Sequence, residues 1–146
     1  MIALPIVWQR LVSPDGQTCD RCDTTHQAVN RAVGTLKEAL KPLGIEPILE
    51  TRALDEQSFK ANPSESNRIW IAGKPIEEWL GARTGSSRCC SVCGDSECRT
   101  IKVGGETFEA IPEKLLLKAT LIASAQLLNP ATEGSSRADE PRCCEA

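Results

Sequence analysis

Apolar and polar positions follow two different periods along this chain. Ile6 to Val12 is a short apolar run that ends at Ser13-Pro14-Asp15-Gly16, the pattern of a strand running into a turn. Further on, Val29, Val33, Leu36, Leu40 and Leu43 recur at steps of four, three, four and three, which predicts a helix that Pro42 and Gly44 bring to an end. Cys22 and His26 extend that stripe backwards at the same spacing. Ile45 to Arg52 reads as a second strand. Pro47 has no N–H to give a ladder, which assigns this strand to a sheet edge.

The remaining chain continues the alternation. Ala53 to Ser66 is polar with one short helix, and Arg68 to Ala72 is a third strand closed by the turn Gly73-Lys74-Pro75. Ile76 to Leu80 gives one or two helical turns, and Gly81 to Ser87 is read as a loop. Arg99 to Val103 and Thr107 to Ile111 are strands around Gly104-Gly105. Pro112 then opens a final helix, whose buried face should include Leu116, Leu117, Leu121 and Leu128. From Asn129 the chain is polar and rich in breakers, as expected of a disordered tail. The order implies an α/β fold, a sheet with helices packed on it. We expect one domain over residues 1–128, with a cysteine-rich insert at 76–98 after the third strand, and a tail at 129–146.

Composition narrows the function. A chain of 146 residues buries enough surface to fold without disulfides. A net charge of -3 and an aromatic content of 3% argue against a nucleic-acid partner, which calls for a basic footprint and stacking platforms. No run approaches the roughly 20 apolar residues of a membrane span. The stretch from Leu115 to Leu128 is interrupted by Lys118 and Gln126. Met1 to Leu11 lacks the features of a secretory signal, so we expect a cytoplasmic protein with no membrane partner. In a reducing compartment, eight clustered cysteines point to metal binding or redox chemistry rather than to a disulfide framework.

The cysteines form three groups. Cys19 and Cys22 make a CxxC at the head of the long helix, where the helix dipole favours a thiolate. Cys19 should be the exposed, attacking thiol and Cys22 the buried, resolving one. Cys89, Cys90, Cys93 and Cys98 lie in a Gly/Ser-rich stretch, and Cys90-Ser91-Val92-Cys93-Gly94 has the form of a metal knuckle. Four thiolates suit zinc, copper(I), mercury(II), arsenite or an iron–sulfur cluster, with zinc or another soft ion ahead of the cluster. Cys89 and Cys90 are adjacent and rarely both face one ion, so Cys90, Cys93 and Cys98 need either Cys89 or an outside ligand. Cys143 and Cys144 on the tail suit ion capture, the tether keeping their effective concentration high. His26, the one histidine, is read as a polar helix residue. Glu77 and Glu78 are read as a solvated helix face, and Arg88 and Arg99, which flank the second group, as surface residues. No phosphate loop or hydrolase motif occurs.

A CxxC after a first strand and at the head of a helix resembles the thioredoxin-like superfamily. Asn67 to Ile76 is similar to that group's third strand and following turn. The proline those oxidoreductases carry before the third strand is replaced here by Ser66-Asn67-Arg68, and its absence makes metal binding at the pair easier. The chain as a whole more closely resembles an uncharacterised bacterial family that joins an N-terminal CxxC to a downstream CC-x2-CG-x4-C-R cluster, here Cys89 through Arg99. In the fold this implies, the third strand runs away from the CxxC, so the expected arrangement is two separate sites.

The leading expectation is thiol-based handling of a soft metal or metalloid ion. Cys89, Cys90, Cys93 and Cys98 would hold the ion, Cys19 and Cys22 would bind or exchange it, and Cys143 and Cys144 would capture it. A second is an enzyme, a thiol–disulfide oxidoreductase acting on a protein or small disulfide, with Cys19 and Cys22 catalytic and zinc structural. A third is a non-catalytic zinc-knuckle module that contacts a protein partner.

Overall fold

The computed structural model describes residues 1–12, 20–88 and 97–128. Strand β1 is Ile2–Leu11, helix α1 Asp20–Leu40, strand β2 Ile45–Leu54 and helix α2 Glu56–Ala61. Strands β3 (Arg68–Ile71) and β4 (Lys74–Pro75) precede helix α3 (Ile76–Leu80). Strands β5 (Arg83–Arg88), β6 (Glu97–Val103) and β7 (Glu106–Phe108) follow, and then helix α4 (Glu113–Leu128). The fold is mixed α/β. Its four-stranded sheet has the order β2-β1-β3-β4, and a second sheet has the order β5-β6-β7.

In the larger sheet β1 runs parallel to β2, with Leu4 opposite Pro47, and antiparallel to β3, with Trp8 opposite Ile69. Pro47 sits on the edge strand, as its missing N–H requires. Leu4, Ile6, Trp8, Ile69 and Ile71 are all within 2% of complete burial and form the strand side of the core. Val29, Val33, Leu36 and Leu40 of α1 supply the helix side. The 3-10 turn Lys41–Leu43 then ends at Gly44, whose φ of 71° suits a residue without a side chain.

Three expectations about packing are corrected. Leu43 is 49% exposed, because it falls in the turn after α1 rather than on its stripe. Leu121 and Leu128 are 48% and 45% exposed. The buried face of α4 is instead Leu115, Leu116, Ala119, Thr120, Ala123 and Ser124, a row of mostly small side chains at steps of four that lets α4 lie close against α1. Gly81 to Ser87 is not a loop, since Arg83–Arg88 is strand β5. A Gly/Ser-rich run has little strand propensity of its own, but β6 offers it a complete ladder from Arg83↔Lys102 to Arg88↔Glu97. Gly85 suits this pairing, because a Cβ there would lie 2.8 Å from Thr100 Oγ1.

The loop before α4 is tied to α1 where the Ile111 N–H donates to Thr25 Oγ1 at 3.1 Å. No helix among the described residues is long and apolar enough to cross a membrane. The proposed tail falls outside the described residues.

Candidate functional site

Cys22 lies in the first turns of α1 and is 2% exposed. The end of β1 and the segment before β3 meet above it. Ser66 Oγ accepts the Leu11 N–H at 2.9 Å and lies 3.8 Å from Cys22 Sγ. Since Leu11 occupies one lone pair of that oxygen, the hydroxyl proton can point at the sulfur. Asn67 has a left-handed φ of 58°, which asparagine tolerates better than most residues. This conformation aims its Oδ1 at Trp8, whose Nε1 donates to it at 3.0 Å. Trp8 is fully buried and stacks on His26 with ring centroids 4.9 Å apart. His26 is therefore a packing residue beside Cys22, placed there by its spacing along α1.

Arg21, between the two cysteines of the CxxC, reaches the second sheet. Its guanidinium donates to Ser87 Oγ at 2.8 Å, to the Ser87 carbonyl at 3.3 Å and to the Arg88 carbonyl. It also pairs with Glu109 at 3.2 Å, and its own side chain is only 10% exposed. Ser87 is the cross-strand partner of Cys98. Cys98 is 4% exposed and belongs to the same core cluster as Cys22. Cys98 is disulfide-bonded.

The expectation of two separate sites turns on Cys19, Cys89, Cys90 and Cys93, which lie outside the described residues. The third strand does leave the CxxC end of the sheet, since Ile71 pairs with Ile6 and Arg68 with Gln9. Strand β5 then carries the chain back, about 20 Å for its six residues. It delivers Arg88, the residue before Cys89, to the head of α1. Cys19, Cys89, Cys90, Cys93, Cys143 and Cys144 lie outside the described residues. Among the described residues no three His, Cys, Asp or Glu side chains are grouped to hold a metal.

Arg99 and Glu77 are corrected as well. Neither is a surface residue: their side chains are 9% and 8% exposed and pair at 2.7 Å. Arg99 donates through Nε and Nη2 to Glu77 Oε1, and also to the Ser64 carbonyl and Thr84 Oγ1. It thereby joins β6 to α3, to β5 and to the segment that ends at Ser66. These contacts anchor the second sheet. Two weak signals of these contacts stand in the sequence. Arg21 lies inside the CxxC, and Ser66-Asn67 stands where the resemblance places a proline.

The sequence profile of the domain of unknown function DUF2703 matches residues 4–120, nearly every element described above. The chain belongs to the DUF2703 family. It is also similar to a protein of Archaeoglobus fulgidus described as an uncharacterised protein, with 42% identity over 113 residues, 77% of this chain and 82% of the relative. No solved structure matches the chain. The matched region of this DUF2703 chain includes the CxxC, Arg21, Ser66-Asn67, the second cysteine group and Arg99, and it stops short of Cys143 and Cys144.

Proposed function

We propose that this protein is a thiol–disulfide exchange protein whose CxxC and second cysteine group work as one centre. The observation that carries the reading is the disulfide of Cys98, on the strand paired with the one that Arg21 holds at the head of α1. Cys22 suits the resolving role, being buried under the Ser66 hydroxyl, and Cys19 is the attacking thiol. In the exchange, a thiolate attacks the sulfur bonded to Cys98. A new S–S bond forms, the old one breaks, and its electron pair leaves on Cys98 as a thiolate. The strand order β2-β1-β3-β4 with a helix-headed CxxC supports reading the larger sheet as thioredoxin-like. The protein would work in the cytoplasm, where small thiols supply electrons.

The test uses oxidised glutathione as substrate. Wild type should turn it over with a reductant. Cys19→Ser should abolish turnover, and Cys22→Ser should accumulate a mixed disulfide detectable by mass spectrometry. Turnover that survives both substitutions rules the reading out.

A second reading is soft-metal or metalloid binding by the reduced thiols, and the bonds from Arg21, inside the CxxC, to Ser87 and Arg88, next to the second cysteine group in sequence, favour it. Three or four thiolates drawn from Cys19, Cys22, Cys89, Cys90, Cys93 and Cys98 would hold the ion, with Cys143 and Cys144 as a capture arm. Fully reduced protein titrated with cadmium should then develop thiolate-to-metal absorbance in the ultraviolet. Reduced protein that ignores cadmium, zinc and arsenite defeats it. The knuckle would serve as an interaction module only if it binds zinc tightly and exchanges no disulfide.

A further inference from the structure

Strand β2 closes one side of the larger sheet and has no strand along its outer edge among the described residues. Its pairing with β1 decides which peptide groups face outwards. The Ile2 N–H donates to the Gly44 carbonyl at 2.7 Å and the Val12 N–H to the Leu54 carbonyl at 3.1 Å, with a continuous parallel register between them. In a parallel ladder alternate residues turn to the neighbour, so Glu46, Ile48, Glu50, Arg52 and Leu54 bond β1. Ile45, Pro47, Leu49, Thr51 and Ala53 turn their peptide groups to the open edge. Pro47 has no N–H to offer there, which blunts the start of the edge. Leu49, Thr51 and Ala53 keep both donor and acceptor, and residues 50–53 are all exposed. An uncovered edge of this kind is a template for another strand.

We propose that β2 pairs with β2 of a second copy of this chain, antiparallel and centred on Thr51, so that the two sheets become one. The segment Ile48-Leu49-Glu50-Thr51-Arg52-Ala53-Leu54 is self-complementary about its middle residue. In this register Glu50 stands opposite Arg52 of the second copy, and Arg52 opposite Glu50 of the second copy. Thr51 meets Thr51, Leu49 meets Ala53 and Ile48 meets Leu54. Opposite charges and paired threonines are favourable cross-strand neighbours. The Glu50 and Arg52 side chains are 57% and 51% exposed and already lie 3.4 Å apart on one face. Two copies would therefore set four charges in alternation. Ile48, now 48% exposed, would be covered by Leu54.

The neighbouring registers are worse. Centring on Glu50 or on Arg52 sets that residue opposite its own copy, like charge against like. Centring on Leu49 puts Pro47 opposite Thr51 in a hydrogen-bonded pair whose donor is missing, and Ile48 against Glu50. Centring on Ala53 brings Glu50 towards Glu56. Centred on Thr51, Pro47 falls opposite Asp55, past the end of the strand at Leu54, and its missing N–H breaks no bond of the ladder. Leu49, Thr51 and Ala53 then exchange all their outward N–H and C=O groups with the second copy. On the α1 side a groove of about 430 Å³, lined by Asn30, Val33, Gly34, Lys37 and Pro47, leaves room where the second copy turns from β2 into α2. The contact is isologous, so it closes on itself as a dimer.

Analytical ultracentrifugation of the full-length protein tests this. Wild type should form a dimer whose population rises with concentration and which runs as a monomer on a non-reducing denaturing gel. Thr51→Pro should be monomeric, because it removes a donor from the centre of the open edge and leaves every bond to β1 in place. Glu50→Arg and Arg52→Glu should each weaken the dimer about tenfold, since each sets like charges opposite one another. Both positions are exposed, so circular dichroism should show the wild-type fold. Mixing Glu50→Arg with Arg52→Glu should restore the dimer as a mixed pair, because each chain then supplies the charges that the other lacks. The double variant carrying both substitutions should also recover it. A wild type that stays monomeric at every concentration overturns the proposal, as does a dimer held only by an intermolecular disulfide. So does a dimer that Thr51→Pro or the single charge variants leave unchanged, which would place the contact elsewhere. Mixed variants that associate no better than each alone defeat the register and the proposal with it.

Discussion

Two arginines fasten the second sheet to the rest of the molecule, and each stands next to a cysteine. Arg99 follows Cys98 in β6 and is bolted to Glu77, Ser64 and Thr84. Arg21 precedes Cys22 in α1 and is bonded to Ser87, Arg88 and Glu109. Their burial is similar, at 9% and 10% of the side chain, but their counter-charges are not: Glu77 is 8% exposed and Glu109 is 63% exposed. A buried charge facing a buried carboxylate is committed, because neither partner can be withdrawn without leaving the other stranded. A cation facing an exposed carboxylate keeps part of its field for other groups nearby. The comparison separates an arginine committed to a buried carboxylate from one whose counter-charge stands in solvent.

The largest effect should come from breaking the committed pair. Arg99→Leu and Glu77→Leu should each lower unfolding stability by about 3–5 kcal/mol, since each leaves one unpaired buried charge. Glu77 Oε2 has no hydrogen-bond partner among the described residues, so the pair is already imperfectly satisfied. The double variant Glu77→Leu with Arg99→Met should therefore recover much of the loss. Urea unfolding of the single and double variants checks this. Equal losses in the double variant and the sum of the singles would mean that the two side chains do not act as a pair.

Next comes the contact that supports Cys22 from the other side. Asn67→Ala removes the buried bond to Trp8 Nε1 and leaves a φ of 58° to a residue that disfavours it. The stability loss should be about 1–3 kcal/mol. Asn67→Gly relieves the backbone but not the missing acceptor, and should fall between the wild type and Asn67→Ala. Urea unfolding monitored by tryptophan fluorescence reads both.

These two predictions concern features that sequence reasoning found unevenly. The order of strands and helices was legible, because Val29, Val33, Leu36 and Leu40 mark α1 by period and Pro47 marks an edge by chemistry. Strand β5 was not, because nothing in Arg83-Thr84-Gly85-Ser86-Ser87-Arg88 prefers a strand until β6 lies alongside. The bond from Arg21 to Ser87 was hidden for the same reason, since it depends on β5 running back towards the head of α1. Glu77 and Arg99 were read as solvated because an ion pair is stored in neither residue alone. They are 22 positions apart, and only the docking of α3 against β6 brings them together. Arg21 carried a legible hint in its place between the cysteines, but its partners Ser87 and Glu109 did not.

Losing Arg21 should cost less than losing Arg99. Its ion pair is half in solvent, and such pairs contribute at most about 1 kcal/mol. Arg21→Gln should therefore lose less stability in urea unfolding than Arg99→Leu, its loss coming mainly from the bonds to Ser87 and the Arg88 carbonyl. If both substitutions cost the same, the distinction between the two arginines collapses.

The smallest effect provides a control that touches neither arginine. Asp55 caps α2, its Oδ1 accepting the Ser58 N–H at 2.7 Å. The hydrogen bonds from Ser58, backbone first and side chain second, hold its carboxyl below the usual carboxylate value. Because the folded value is the lower one, the ionised cap stabilises the protein above the unfolded carboxylate range, and the contribution is lost as the pH falls through the folded value. Asp55→Ala should thus lower the melting temperature slightly at pH 7, and the difference from wild type should shrink towards pH 3. A melting-temperature difference that persists undiminished in acid would show that the cap acts through packing rather than through its charge.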